Sequence, residues 1–122
     1  MTYYTKDHEW LSCDGDIATV GITQHAAEAL GDIVFVEVKD EGTAVAAEGV
    51  GAVVESVKAA SEIYVPVAGV IVSSNPLAVE DPGIVNSDPE GQGWMFKLKV
   101  TNVADLEGLM DRADYDLFVA NS

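Results

Sequence analysis

Apolar and polar residues alternate along most of the chain, which is typical of β-strands that have one face in the core. An early example runs through Glu9-Trp10-Leu11, turns at Asp14-Gly15-Asp16 and returns along Ile17-Ala18-Thr19-Val20. Because Asp and Gly favour tight turns, this segment predicts a β-hairpin. Similar runs predict further strands over residues 33–38, 51–57, 63–67, 70–72 and 94–100.

Strict alternation predicts which side chains face the core. In residues 94–100, Phe96, Leu98 and Val100 would be buried, while Met95, Lys97 and Lys99 would point outwards. In residues 33–38, Val34, Val36 and Val38 would share one face, and Ile33, Phe35 and Glu37 the other. His8 and Glu9 would be adjacent strand residues on opposite faces, with Glu9 as an exposed strand acid.

Helical segments are few and short. Thr23 can cap a helix whose apolar side carries Ala26, Ala27 and Leu30, and Gly31 can end it in the left-handed conformation. Residues 74–93 contain three prolines and predict loops, with a break near Asp81-Pro82-Gly83. After Asn102, apolar residues recur at helical spacing, and a second helical piece is predicted over residues 114–120.

The predicted fold is mainly β, a small antiparallel domain with one internal helix and a helical C-terminus. With 122 residues the chain fits one domain, residues 1–122, and its 48% apolar content supports a folded core.

The charge balance limits the classes of partner. Twenty-one acidic and 6 basic residues give a formal net charge of −15, which disfavours binding to nucleic acid or to an anionic membrane. The acidity is consistent with plain solubility or with docking onto basic patches of larger proteins. One cysteine, Cys13, cannot form an internal disulfide, and no apolar run is long enough for a membrane helix. We therefore expect a monomer in the cytoplasm.

Lys58 is the candidate functional residue. It lies at a predicted hairpin tip, residues 58–62, between two strands of small and β-branched residues, with Glu55 before it and Glu62 after it. Spacing alone would favour an ordinary solvated lysine. The sequence around Lys58 favours a functional lysine instead. It resembles the lipoylation segment of glycine cleavage H proteins in Glu55-Ser56-Val57-Lys58-Ala59, then in Ser61-Glu62 and in Pro66-Val67-Ala68-Gly69.

The resemblance to this family covers nearly the whole chain. Further matching blocks, in family order, are His8-Glu9-Trp10, Val20-Gly21-Ile22-Thr23, Leu30-Gly31-Asp32, Phe35-Val36-Glu37-Val38, Asn86-Ser87-Asp88-Pro89 and Gly93-Trp94-Met95-Phe96-Lys97. One departure is Ala29, where plant-type relatives have a histidine. The resemblance implies a small antiparallel lipoyl/biotinyl-type β-sandwich, or barrel-sandwich hybrid. It also implies a covalent (R)-lipoate on Lys58, recognition of Glu55 and Glu62 by the modifying enzyme, and Glu9 in a cleft where the arm rests.

The resemblance also implies a cycle in which the protein is a carrier and not an enzyme. It would take the aminomethyl group of glycine from a pyridoxal-phosphate glycine decarboxylase to a tetrahydrofolate-dependent aminomethyltransferase. A dihydrolipoyl dehydrogenase would then reoxidise the arm. A lipoate ligase or a lipoyl or octanoyl transferase would load it.

Three other functions use similar features. A biotin carrier usually has Met on both sides of its lysine, whereas Val57 and Ala59 flank Lys58 here. A lipoyl domain of a 2-oxoacid dehydrogenase complex typically has Asp before the lysine and belongs to a longer chain. A lipoyl relay protein would use the same lysine and stays open. For an enzyme we find no nucleophile–base pair and no metal-ligand spacing, and we expect no metal site.

Overall fold

The computed structural model describes residues 1–122 as two antiparallel β-sheets with short helices at their edges. The strands are β1 (Thr2–Tyr4), β2 (Glu9–Asp14), β3 (Ile17–Ile22), β4 (Ile33–Val38), β5 (Ala44–Val45), β6 (Val50–Ser56), β7 (Ala60–Tyr64), β8 (Gly69–Ser74) and β9 (Phe96–Val100). The helices are α1 (Gln24–Leu30), α2 (Pro76–Glu80), α3 (Gly83–Ser87) and α4 (Arg112–Ala120), with a 3-10 helix over Val103–Gly108.

The two sheets share one core. One sheet has six strands in the order β1-β2-β3-β9-β8-β5, and the other has three in the order β4-β6-β7. A single cluster of 20 buried residues draws on both, including Val20 and Leu98 from the larger sheet and Val36, Val54 and Ile63 from the smaller. The predicted mainly β, antiparallel architecture is confirmed.

The predicted β2–β3 hairpin is confirmed, with Asp14 paired to Ile17 around the turn. Gly21 lies opposite Trp10, and a Cβ on Gly21 would lie 2.9 Å from the indole ring, so the buried Trp10 requires glycine there. The Trp10 indole N–H donates to the carbonyl of Pro89 at 2.9 Å, which links this hairpin to the segment before β9.

Helix α1 begins and ends where the sequence predicts. The Thr23 hydroxyl accepts from the Ala26 N–H at 3.3 Å, and the Gly31 N–H donates to the Ala27 carbonyl at 3.2 Å. Gly31 has the predicted positive φ (78°), but its ψ of −160° lies outside the left-handed helical region. That combination is nearly exclusive to glycine.

Strict alternation was wrong for β4. A register shift between Ile33 and Phe35 places two residues outside, so that Val34 is 58% and Phe35 44% exposed while Ile33 and Val36 are both buried. A bulge of this kind changes which side chains reach the core, and a period-two pattern cannot reveal it. The alternation therefore fails at Ile33 and Val34, whereas the exposed Phe35 shares the outer face with Glu37 as predicted.

Two other predictions were also wrong in part. Met95 is fully buried, because it precedes β9 and lies outside its alternation. Residues 74–93 are not simply loops, since they contain α2 and α3, which meet at the predicted break at Asp81-Pro82. The Asn75 side chain accepts from the Leu77 N–H at 3.1 Å, and Pro76 occupies the first helical turn, where proline is tolerated.

The C-terminal segment is helical as predicted, although the first piece is a 3-10 helix capped by Asn102. Helix α4 starts at Arg112, two residues before the predicted start, because the Asp111 carboxylate accepts from the Asp114 N–H. Tyr115 is buried and stacks on Tyr4 with the ring centroids 5.0 Å apart, so α4 packs against the N-terminal strand. None of the helices has the length and apolarity that a membrane span requires.

Candidate functional site

Lys58 lies in a tight, exposed turn between β6 and β7. The turn residues are Val57–Ala59, fewer than the predicted tip of residues 58–62, because β7 already starts at Ala60. Ser56 organises the turn: its hydroxyl lies 3.2 Å from the N–H groups of both Lys58 and Ala59, and its own N–H donates to the Ala59 carbonyl at 2.8 Å. The local sequence therefore fixes the backbone of the turn and leaves the Lys58 side chain free to project.

The turn also rests on the segment between α1 and β4. The Val57 N–H donates to the Asp32 carbonyl at 2.9 Å. A Cβ on Gly31 would lie 3.3 Å from Cε of Lys58, so the lysine side chain lies along this glycine. The positive φ of Gly31 favours the residue that has no side chain, whereas the flexible end of the Lys58 side chain could move away from a Cβ.

Asn86 in α3 holds that segment in place. Its side-chain amide donates to the Gly31 carbonyl at 2.8 Å, and its Oδ1 accepts from the Ile33 N–H at 2.8 Å. Asn86 thus clamps the residues on either side of Asp32, against which the lysine turn is bonded. Sequence reasoning noted Asn86 only as part of a family block and missed this contact.

Glu55 and Glu62 are both exposed and lie on the two strands that flank the turn. Glu55 pairs with Ala60, and Glu62 pairs with Val53. Neither carboxylate forms an ion pair, since the structure's two salt bridges both involve Arg112. Both acids are therefore available to a partner that approaches Lys58.

Glu9 is not an exposed acid, because only 2% of its surface is accessible. Its Oε1 accepts from the Thr5 hydroxyl at 3.1 Å and its Oε2 from the Tyr64 N–H at 2.8 Å, so β7 and the turn before β2 both hold it. Burial raises the pKa of Glu9 to about 7, although the Tyr64 and Thr5 hydrogen bonds oppose that rise. Near neutral pH this carboxyl can either hold or release a proton.

A cavity of about 330 Å³ lies between α1, β7 and the turn that precedes β2. Glu9 lines it, as do Ala29 and Leu30 of α1 and Ser61 and Glu62 of β7. Leu30 directly precedes Gly31, so the cavity begins beside the Lys58 side chain. The structure therefore brings Lys58, Glu62 and Glu9 to one region, although they come from distant parts of the chain.

His8 also lines this cavity, and the sequence did not predict that position. It is not a strand residue, because its φ is +65° and β2 begins only at Glu9. Its Nδ1 lies 2.8 Å from the Tyr115 hydroxyl, which in turn lies 2.7 Å from the Thr23 hydroxyl. Burial lowers the pKa of His8, and the neighbouring His25 lowers it further. No local signal reveals a contact that spans 107 residues.

These features fit a long, linear group attached to Lys58. The lysine is exposed, its turn is rigid, and the adjoining cavity is partly apolar with a single deeply buried carboxyl. A volume near 300 Å³ is at the lower end of the range for small-molecule sites. The size and polarity of the cavity are therefore compatible with a tethered acyl chain.

Comparison with known proteins agrees with this geometry. The family model described as "Glycine cleavage H-protein" matches residues 2–122. A glycine cleavage system H protein from Phenylobacterium zucineum is 57% identical over 98% of both chains, and one from Paramagnetospirillum magneticum is 52% identical over 95% of this chain and 93% of that one.

The same likeness holds for the fold. A crystal structure of a glycine cleavage system H protein from Mycobacterium marinum superposes with a TM-score of 0.88 at 36% identity, covering 98% of this chain and 96% of that one. This likeness confirms the predicted barrel-sandwich type of β-sandwich. With the sequence match extending from residue 2 to residue 122, the chain belongs to the glycine cleavage H-protein family.

Proposed function

We propose that this protein carries the aminomethyl group of glycine on a lipoyl group bound to Lys58 through an amide. It would receive the group from a pyridoxal-phosphate glycine decarboxylase and deliver it to a tetrahydrofolate-dependent aminomethyltransferase. A dihydrolipoyl dehydrogenase would then restore the oxidised carrier. As a member of the H-protein family, the chain is a carrier component of the glycine cleavage system and not one of its enzymes.

One observation carries the proposal: Lys58 is exposed on a rigid turn that adjoins a cavity. A modifying enzyme needs an accessible amine at a reproducible position, and the Ser56 and Asp32 contacts provide that position. The cavity then offers a place for the far end of the attached group, close to its attachment point.

The chain's own residues supply attachment, shelter and a proton site. The Lys58 Nζ would form the amide, and when bound the lipoyl group supplies a cyclic disulfide that can accept a carbon and two electrons. Apolar side chains of α1 and β7 would exclude water from the cavity. Glu9, with a pKa of about 7, can present either a neutral or a charged carboxyl at its inner surface.

The wider setting is also part of the proposal. We propose that residues 1–122 act as a single lipoyl-carrier domain, monomeric and cytoplasmic. A lipoate ligase, or a lipoyl or octanoyl transferase, would load Lys58, and Glu55 and Glu62 would be contacts of that enzyme. Their exposure beside the lysine turn supports this assignment.

Mass spectrometry tests the proposal directly. The protein is purified from lipoate-fed cells that contain a matching lipoylation enzyme, and both intact and peptide masses are measured. We expect a lipoyl increment on the Lys58 peptide and none in a Lys58→Ala control. An unmodified Lys58 under these conditions, or a biotin increment, would contradict the proposed function.

A further inference from the structure

The outer face of the small sheet carries an exposed aromatic residue among acidic ones. Strand pairing aligns Phe35 with Glu55 and Ala60 in one row, and Glu37 with Val53 and Glu62 in the next. Paired residues point to the same side of a sheet. The adjacent inward row contains Val36 and Val54, both buried. We refer to Phe35, Glu37, Val53, Glu55, Ala60 and Glu62 as the hairpin face.

The β4 edge of the hairpin face is apolar and open. Phe35 is 44% exposed, and two further apolar side chains lie close by at the lysine end: Val34 in the bulge of β4, 58% exposed, and Val57 in the turn itself, 67% exposed. Val57 is bonded to Asp32, two residues before Val34, so this apolar group is continuous with the Lys58 turn. Exposed apolar clusters with a polar rim mark protein interaction sites.

The residues around the apolar part of the hairpin face are acidic, which restricts the kind of protein that can bind there. Glu55 pairs directly with Phe35, Glu37 lies two residues along the same strand, and Glu62 lies on the far strand of the sheet. The whole chain has a formal net charge of −15. A second copy of this chain would bring like charges together, which costs free energy. A partner with an apolar socket bordered by Lys or Arg would satisfy both the aromatic residue and the acids.

We propose that the hairpin face docks the enzyme that acylates Lys58, with Phe35 as the anchor in an apolar, basic-rimmed socket. In that step the Nζ of Lys58 attacks the carbonyl carbon of an acyl adenylate. The C–N bond forms, the C–O bond to AMP breaks, AMP leaves, and the amine proton passes to solvent. The acyl carbon must reach Nζ itself, so this enzyme has to contact the hairpin. Enzymes that act on the far end of a loaded arm do not need to contact the hairpin.

This inference rests on the proposed function, and kinetics with the unmodified full chain separate the two. A lipoate ligase is supplied with lipoate and ATP, and initial rates are measured by intact mass as the concentration of the carrier is varied. The variants are Phe35→Ala, Phe35→Leu and Glu37→Lys. The control is Val70→Ala, which removes an exposed strand residue from the other sheet, paired with Lys99.

We expect Phe35→Ala and Glu37→Lys each to raise KM for the carrier roughly tenfold with kcat changed less than about twofold, as for loss of a docking contact. Phe35→Leu should recover part of the loss, and Val70→Ala should match the wild type. If folded Phe35→Ala has a KM within about twofold of the wild type, the docking inference is wrong even though Lys58 is modified. If the wild type itself is not modified, the proposed function has failed instead.

Discussion

The two ends of the candidate site are built in opposite ways. The Lys58 turn is exposed, and residues within four positions of one another, above all Ser56 and Ala59, fix most of its backbone. The Glu9 end is buried and is assembled from the turn before β2, from β7 and from α1, which are distant in sequence. The attachment end can therefore tolerate changes that leave the turn intact, whereas the cavity end depends on the whole fold.

The largest expected effect comes from a substitution that removes only the attachment residue, Lys58. Lys58→Arg keeps a positive charge and a long side chain, but a guanidinium cannot be acylated like an amine. We expect complete loss of lipoylation and of complementation in a strain that lacks its own H protein, with an unchanged melting temperature. Growth on glycine cleavage supported by Lys58→Arg would contradict the assignment of the attachment residue.

At the buried end, Glu9→Gln should change how stability depends on pH. The folded pKa of Glu9 is raised from 4.5 to about 7, so the folded protein retains a proton that the unfolded chain releases. The resulting stability is fully present below about pH 4.5 and is lost as pH rises to about 7. Relative to Glu9→Gln, the wild type should lose roughly 3 kcal/mol of unfolding free energy between pH 4.5 and pH 8.

Urea titrations of both proteins at several pH values measure this difference. Glu62→Gln is the matched control, because Glu62 is exposed and borders the same cavity. Its stability should follow the wild type at every pH. A difference between wild type and Glu9→Gln that stays constant with pH would show that the carboxyl does not titrate as the burial implies.

Asn86→Ala tests how the two ends are joined. It removes two hydrogen bonds that hold the segment under the lysine turn, at a cost of about 1–3 kcal/mol. Asn75→Ala is the control, since Asn75 also bonds backbone groups, at Gln92, Trp94 and Leu77, but away from Lys58. Both variants should be destabilised in urea, and only Asn86→Ala should also slow lipoylation. Equal lipoylation rates would show that the clamp is purely structural.

The smallest expected change in stability is at Glu55. Glu55→Gln removes an exposed charge that has no ion-pair partner, so the unfolding free energy should change by less than about 0.5 kcal/mol. Its lipoylation rate should nevertheless fall, because the modifying enzyme is proposed to contact this acid. An unchanged rate at subsaturating carrier would remove Glu55 from the recognition surface.

The difference between contacts among neighbours in the chain and contacts between distant segments explains what the sequence could predict. The β2–β3 hairpin, α1 and the lysine hairpin depend on neighbours in the chain, such as Gly15, Thr23 and Gly31, and their patterns predicted them correctly. The bulge in β4 was missed, because an extra residue in one strand depends on its partner strand. For that reason the burial of Ile33 and the exposure of Val34 could not be foreseen, whereas Phe35 follows the predicted alternation and shares the outer face with Glu37.

The buried end of the site was predictable only in outline. The resemblance suggested a cleft at Glu9, but no local pattern predicts that this carboxyl is buried, which raises its pKa, or that Thr5 and Tyr64 donate hydrogen bonds to it, which oppose the rise. The contact between His8 and Tyr115 depends on folding the last helix onto the first turn. The prediction that Met95 points outwards was wrong because β9 starts at Phe96, two residues later than the predicted strand, so Met95 lies outside the alternation.

The meeting of the two chain ends has a consequence for synthesis. The backbone of Tyr4 bonds to Met110 in both directions, its ring stacks on Tyr115, and β3 pairs with β9. The first twenty-two residues therefore wait for partners that are synthesised after Lys58, so the fold is completed later than the synthesis of the lysine hairpin. A nascent chain can expose Lys58 well before its cavity exists, so loading enzymes that require the finished fold would discriminate against incomplete chains.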